Sequence, residues 1–273
     1  MLWLLLLQVL ASCLWLGHSE VVTSFESCPQ FFYEETTPND ALKPNNPARI
    51  CQRYNNKYHF ATLYDRDSRI PIYSAYIYQP GNSSKPQAWL IEPQLIGSTY
   101  SGDMEKEKDF VKKYPQLIEE LEQSQAVLED YKKMAKYTRG HLNPSSHHNT
   151  YGTKLPTFTL TNIVPQNPKF NNGPWNEYEG QMMKDESEGC TTTYVITGAV
   201  PGKPHTPGER VNIPSHIWSA ACCPAESKAW GVIAENNSES QVTILTLKEV
   251  EDTLTNLYGK GKVSLFHSAC PRQ

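Results

Sequence analysis

An α+β fold, in which sheet and helices share one core, follows from three features of the sequence. Short runs of β-branched and aromatic residues recur along the chain. A Glu/Lys/Leu-rich middle section breaks them up, and an amphipathic segment with clear start and stop signals lies near the C-terminus. With 38% hydrophobic and 20% charged residues, the 273-residue chain can bury a sizeable core. Its 20 prolines and 15 glycines predict many loops. A formal net charge of −4 excludes a general polycation but leaves room for a local basic cleft.

The apolar start MLWLLLLQVLASCLWLGHS ends in small residues at Gly17 and Ser19, predicting a signal peptide over 1–19 and a single domain over 20–273. No later stretch is apolar enough to span a bilayer, so the expectation is a secreted, extracellular chain with no stable membrane insertion after cleavage. Six cysteines follow: Cys28, Cys51, Cys190, Cys222, Cys223 and Cys270. An even number in a secreted chain predicts disulfides, with about 15 full pairings open. Cys222 and Cys223 are expected to find different partners, because a vicinal bridge is strained. Asn82 and Asn236 open N-x-S sequons, which predicts glycosylated, exposed loops.

Residues 20–55, with Cys28, Cys51 and the turn-rich TTPNDALKPNNP, read as a stapled loop region. Residues 57–78 read as two strands turning at Asp65–Ser68. Residues 103–136 read as helical, with Leu117, Leu121 and Leu128 near helical spacing and Pro115 splitting the stretch. Strands are predicted at Phe158–Asn162, Thr192–Thr197 and Val211–Trp218, although Pro214 argues against a central strand in the last. Thr246 and Glu249 form a capping-box pattern for a helix over 247–258. Its stripe is Leu247, Val250, Leu254 and Leu257, and its stop is Gly259.

Chemistry concentrates in two segments. In Tyr137-Thr-Arg-Gly-His-Leu-Asn-Pro144, Arg139 and His141 are two apart and face one side of an extended chain. A guanidinium suits phosphate oxygens and an imidazole suits proton transfer near neutral pH. Gly140 between them would let a substrate backbone approach. Downstream, Asn171 precedes a helix expected to open at Pro174, on which Trp175 and Glu179 share a face. One Asn and one Glu, directly or through water, are enough to hold a hard cation such as Mg²⁺. The two segments can therefore converge on one divalent ion and one phosphate.

Other residues read more plainly. His147 and His148 should face opposite sides and share no metal. His205 should be solvated, and His216 should share a face with Trp218. Phe31, Phe32 and Tyr33 read as core. Lys132, Lys133 and Lys136 read as a solvated helix face.

The runs TRGHLNP and LTNIVPQNPKFNNGPWNEYE resemble the DNA/RNA non-specific endonucleases of the ββα-metal (His-Me finger) type. The resemblance is closer still to the vertebrate endonuclease domain-containing 1 group. SCPQFFYEETTP, AWLIEPQL and VNIPSHIWSAACC extend it over nearly all of residues 20–273. It implies a disulfide-stabilised ββα-metal core with a mixed or antiparallel sheet and flanking helices. It also implies a Mg²⁺-dependent endonuclease (Mn²⁺ as substitute) acting on DNA or RNA without much sequence preference. By the same resemblance His141 is the general base and Arg139 the phosphate clamp. Asn171 is the metal ligand, Glu179 the holder of its water shell, and Asn162 and Gln166 support the site. Two departures stand out. Thr138 replaces the usual Asp, and Lys85 and Gln87 stand near Trp89 where bacterial members carry a second arginine. These departures keep a rival in view, a catalytically weak secreted binding protein on the same fold.

Overall fold

The computed structural model describes residues 20–203 and 210–273; the expected signal peptide and His205 lie outside them. Eleven strands form among the described residues: β1 (Val21–Val22), β2 (Pro47–Tyr54), β3 (Lys57–Asp65), β4 (Ile70–Ile77), β5 (Leu90–Ile91), β6 (Glu105–Lys106), β7 (Thr138–His141), β8 (Ile163–Gln166), β9 (Tyr194–Val200), β10 (His216–Cys223) and β11 (Lys228–Glu235). Seven of them make one antiparallel sheet in the order β1-β2-β3-β4-β9-β10-β11. The fold is α+β, as the sequence predicts.

Both faces of this sheet are buried, and the two-residue period of β10 shows how. Ile217, Ala221 and Cys223 join one core, which also holds Trp175 and Tyr178. Trp218, Ala220 and Cys222 join the other, under the C-terminal helix Leu247–Tyr258. The same alternation separates the neighbouring cysteines. Cys223 reaches Cys190 on one face, and Cys222 reaches Cys270 on the other. Cys28 bridges Cys51 and staples the N-terminal 3₁₀ turns to β2. All six cysteines pair, and Phe31 and Phe32 are core residues, as expected.

The C-terminal helix has the predicted bounds. Thr246 and Glu249 exchange the capping-box hydrogen bonds, and Gly259 ends the helix with φ 61°. Leu247, Val250 and Leu254 are buried, whereas Leu257 stays exposed; the buried fourth position is Glu251, paired with Arg272 at 3.0 Å. Helices also form at Glu107–Lys113, Ile118–Ser124 and Leu128–Lys133, with Pro115 between the first two. Lys132 pairs with Glu129, and Lys132, Lys133 and Lys136 are exposed.

Three expectations need correction. Phe158–Asn162 is two 3₁₀ turns, Leu155–Phe158 and Leu160–Asn162, not a strand. Thr159 and Thr161 give their hydroxyls to Glu92 at 2.9 and 3.0 Å, local side-chain bonding that β propensity does not register. The strand begins at Ile163 and runs through Pro165, tolerable because β8 is half of a two-stranded ribbon. The residues just before His216 are loop, and the central strand β10 starts only there, beyond Pro214. Residues 47–54, read as part of a stapled loop region, form the strand β2, and β11 went unread in the sequence.

Candidate active site

The site is a ribbon followed by a helix. β7 pairs antiparallel with β8, with His141 opposite Ile163 and Thr138 opposite Gln166. The chain then enters the helix Pro168–Asn172, capped by the Asn167 side chain, and continues through Pro174–Glu177 and a π turn Tyr178–Met182. Asn171 therefore sits inside a helix, one turn earlier than the sequence suggests, and Glu179 sits in the π turn.

A buried polar network fastens the ribbon to the sheet. Asn162 is fully buried and satisfies all its hydrogen-bonding capacity. Its amide donates to the carbonyls of Asn143 and Thr157, and its oxygen accepts from Ser74 Oγ and the Asn143 N–H. Ser74 continues to Thr62, and Thr62 to Gln52, across the sheet. Tyr131 adds a hydroxyl bond to the Ile163 carbonyl.

His141, Arg139, Asn171 and Glu179 line one cleft of about 750 Å³, together with Lys85, Gln87, Trp89, Thr138, Lys154 and Phe158. All four predicted reacting residues are thus brought together. His141 lies between Trp89 and Phe158, with ring centroids 5.9 and 4.8 Å away. Its Nε2 is buried without a hydrogen-bond partner among the described residues. Burial, helped by Lys85 and Arg139, pushes its pKa down to about 3, so the ring is neutral and able to accept a proton. The Arg139 guanidinium stacks on Trp89 at 4.6 Å and has no carboxylate partner among the described residues.

Thr138 decides how Asn171 points. Its single hydroxyl hydrogen goes to the Gln166 carbonyl at 3.1 Å, so towards Asn171 it can only accept. Asn171 Nδ2 donates to it at 2.9 Å, leaving Oδ1 for the cleft. Glu179 accepts from Trp175 Nε1 at 2.9 Å, and desolvation pushes its carboxyl up to about 8. The donor set is oxygen from an amide and a carboxylate, which fits a hard divalent cation keeping several waters. Among the described residues no group of three His, Cys, Asp or Glu forms a metal cluster.

Gln166 corrects the reading of Gly140. A Cβ on Gly140 would lie 2.0 Å from Gln166 Oε1, so the glycine admits this side chain rather than a substrate backbone. Both polar atoms of the Gln166 side chain are buried without partners among the described residues.

Sequence reasoning missed three supporting residues. His147 bridges Tyr76 Oη at 3.0 Å and the Glu179 carbonyl at 2.8 Å, tying the π turn to the sheet. Lys154 is buried and donates to the Gly81 and Ser83 carbonyls, fixing the loop that carries Lys85. Phe158 walls His141. Only the position of His147 beside the Arg-Gly-His segment hinted at a role. His216 is half-buried at the start of β10, while Trp218 is core.

Asn82 is exposed, whereas Asn236 is half-buried in the bend that follows β11. Its Nδ2 donates to the Pro165 and Pro214 carbonyls at 3.0 Å each, and its Oδ1 accepts from the Asn167 N–H. A glycan on that nitrogen would remove one of its two hydrogens and break this link to β8.

A family model described as DNA/RNA non-specific endonuclease matches residues 37–272. The Endonuclease domain-containing 1 protein of Mus musculus is 32% identical over 254 residues, covering 90% of this chain and 48% of its own length. The Homo sapiens protein of the same name is 29% identical over 241 residues, covering 86% and 47%. The chain thus spans about half the length of these curated relatives. A chain from the crystal structure of the EndoG/EndoGI complex, which addresses the mechanism of EndoG inhibition, aligns with a TM-score of 0.52 at 16% identity. It covers 74% of this chain and 82% of that one.

Proposed function

The chain belongs to the DNA/RNA non-specific endonuclease family, and on that premise we propose that it is a secreted, Mg²⁺-dependent endonuclease cleaving phosphodiester bonds of DNA or RNA with little sequence preference. The supporting observation is the meeting of His141, Arg139, Asn171 and Glu179 in one cleft whose other charged groups are Lys85 and Lys154. The fold is the ββα-metal nuclease fold, and three disulfides suit an oxidising compartment.

A bound divalent cation supplies Lewis acidity at the scissile phosphate and offsets charge on the leaving oxygen. Asn171 Oδ1 and the Glu179 carboxylate would hold it. His141, neutral and walled by Trp89 and Phe158, takes the proton of the attacking water. Arg139 faces the phosphate oxygens and compensates the negative charge that develops on them. Lys85 adds a second positive charge to the cleft. Asn162 and Gln166 hold the ribbon that aims Arg139 and His141.

Plasmid nicking tests this reading. Wild type should nick with Mg²⁺ or Mn²⁺ and stop with EDTA, and His141→Ala should lose about 10²–10⁴-fold in rate. A purified wild type that nicks with neither ion would instead favour a binding protein on the nuclease fold.

A further inference from the structure

A second hollow, of about 520 Å³, adjoins the active-site cleft and shares Gln87 and Trp89 with it as a common wall. Its remaining lining includes Tyr54 from β2, Lys106 from β6, Lys108 from the next helix, and Tyr151. Tyr151 is 48% exposed, so its ring serves no core. Lys106 and Lys108 have no ion-pair partners, and no acidic side chain lines the hollow, among the described residues. Three aromatic rings, Tyr54, Trp89 and Tyr151, and two lysines thus line a depression that adjoins a cleft that is itself basic.

We propose that this hollow is a subsite for single-stranded nucleic acid, taking unpaired bases next to the phosphate held at Arg139. The proposal rests on the nuclease reading of the cleft. Tyrosine faces stack on any exposed base without reading its identity, and lysines follow the phosphates, the combination that single-strand binders use. A duplex keeps its bases stacked inside and cannot offer them to Tyr54 and Tyr151. The chain therefore favours single strands, or locally opened duplex, over intact duplex. Trp89 belongs to both spaces: Arg139 lies over its ring at 4.6 Å, and the same side chain lines the hollow.

The test is fluorescence anisotropy of the full chain in EDTA, so that binding is read without cleavage. The probes are a twelve-nucleotide oligo-dT and a twelve-base-pair duplex. Tyr151→Ala should weaken oligo-dT binding by roughly 5- to 100-fold, the usual scale for one base stacked on an aromatic ring, and leave duplex binding little changed. The double variant Lys106→Gln, Lys108→Gln should lower the slope of log affinity against log salt by about 1.4 for oligo-dT. Both changes lie on the surface, and a thermal melt of each variant checks its fold. Wild-type oligo-dT affinity in both variants overturns the proposal. So does an equal loss for both probes, which would mark a general phosphate track. Plasmid nicking on the same preparations separates the two readings. An inactive wild type whose oligo-dT binding depends on Tyr151 fails as a nuclease but keeps the subsite.

Discussion

Asn171 Nδ2 donates to Thr138 Oγ1 at 2.9 Å, and this contact fixes which end of the Asn171 amide meets the cleft. Thr138 supplies the acceptor that Asn171 needs and donates its own hydroxyl hydrogen to the Gln166 carbonyl. Thr138→Val keeps the shape and removes both bonds. It should weaken Mn²⁺ binding, measured by electron paramagnetic resonance on the metal alone, by about 10- to 100-fold. Thr138→Ser should restore it. Equal Mn²⁺ affinity in wild type and Thr138→Val would show that Asn171 is held by something else.

Gly140→Ala tests the close packing behind the ribbon. The added methyl would collide with Gln166 Oε1, so β7 and β8 must part or Gln166 must move. Overpacking of this kind costs about 1–3 kcal/mol. Denaturant unfolding should read that loss, and cleavage should fall with it as Arg139 and His141 shift. Gly140→Ala combined with Gln166→Ala should recover stability, because the space is vacated. A double variant no more stable than Gly140→Ala would remove Gln166 from this role.

The two sequons should differ. With Asn82 exposed and the Asn236 nitrogen committed to two carbonyls, a preparation from a glycosylating host should carry one N-glycan. Asn82→Gln should remove the mass released by a glycosidase. Asn236→Asp should instead lower stability, because it leaves the Pro165 and Pro214 carbonyls without a donor. A glycan found on Asn236 would contradict the geometry.

What could be read in the sequence tracks how local each signal is. The C-terminal helix carries its cap, stripe and stop within fourteen positions, and its bounds came out as predicted. The β3–β4 hairpin and the splitting of the middle helices at Pro115 were equally local. The residues proposed to react could be singled out because Arg139 and His141 are two apart on one strand, and Trp175 and Glu179 four apart in sequence. What escaped depends on distant partners. Thr159 and Thr161 look like strand residues until Glu92 is placed beside them, 67 and 69 positions away. His147 holds Glu179 from 32 positions away, and Gly140 is understood only with Gln166 across the ribbon. Asn236 matches a sequon, and only its fit against Pro165 shows that its amide is already used.

Buried titrating groups should shape stability against pH. His147 and His148 are 2% and 4% exposed, and burial lowers them to about 4 and about 3. Both are neutral in the folded chain, while in the unfolded chain they take up protons below about 6.5. Their contribution is present above pH 6.5 and lost as pH falls towards their folded values. Glu92, fully buried, is raised to about 8, so its contribution is present below about 4.5 and lost as pH rises through 8. Between pH 5 and 6 these two histidines outweigh Glu92, and the opposite shifts of His141 and Glu179 offset one another, so stability falls on acidification. Glu92→Gln keeps an acceptor for Thr159 and Thr161 without the proton. Denaturant unfolding across pH 5–9 should then show a steeper acid loss and a flatter alkaline one. An unchanged profile would mean that Glu92 does not titrate between the folded and unfolded states.

The pH dependence of cleavage should separate His141 from Glu179. A general base must be unprotonated, and His141 is held down to about 3 by burial and by Lys85 and Arg139. In the free enzyme it therefore stays ready well below the pH at which an ordinary histidine would charge. Glu179 is shifted the opposite way, up to about 8, and must lose its proton before a cation can use it. Lowering the pH should thus weaken metal loading long before it charges the base. At limiting Mg²⁺, kcat/KM should fall as pH drops below about 8. At saturating Mg²⁺ that limb should move down in pH, because cation binding pulls the proton off the carboxyl. Glu179→Gln should lose the metal-sensitive limb and need more Mg²⁺ at every pH. An acid limb fixed near pH 6.5 at all Mg²⁺ concentrations would mean that an ordinary histidine is the base and that His141 is more solvated than its place between Trp89 and Phe158 allows.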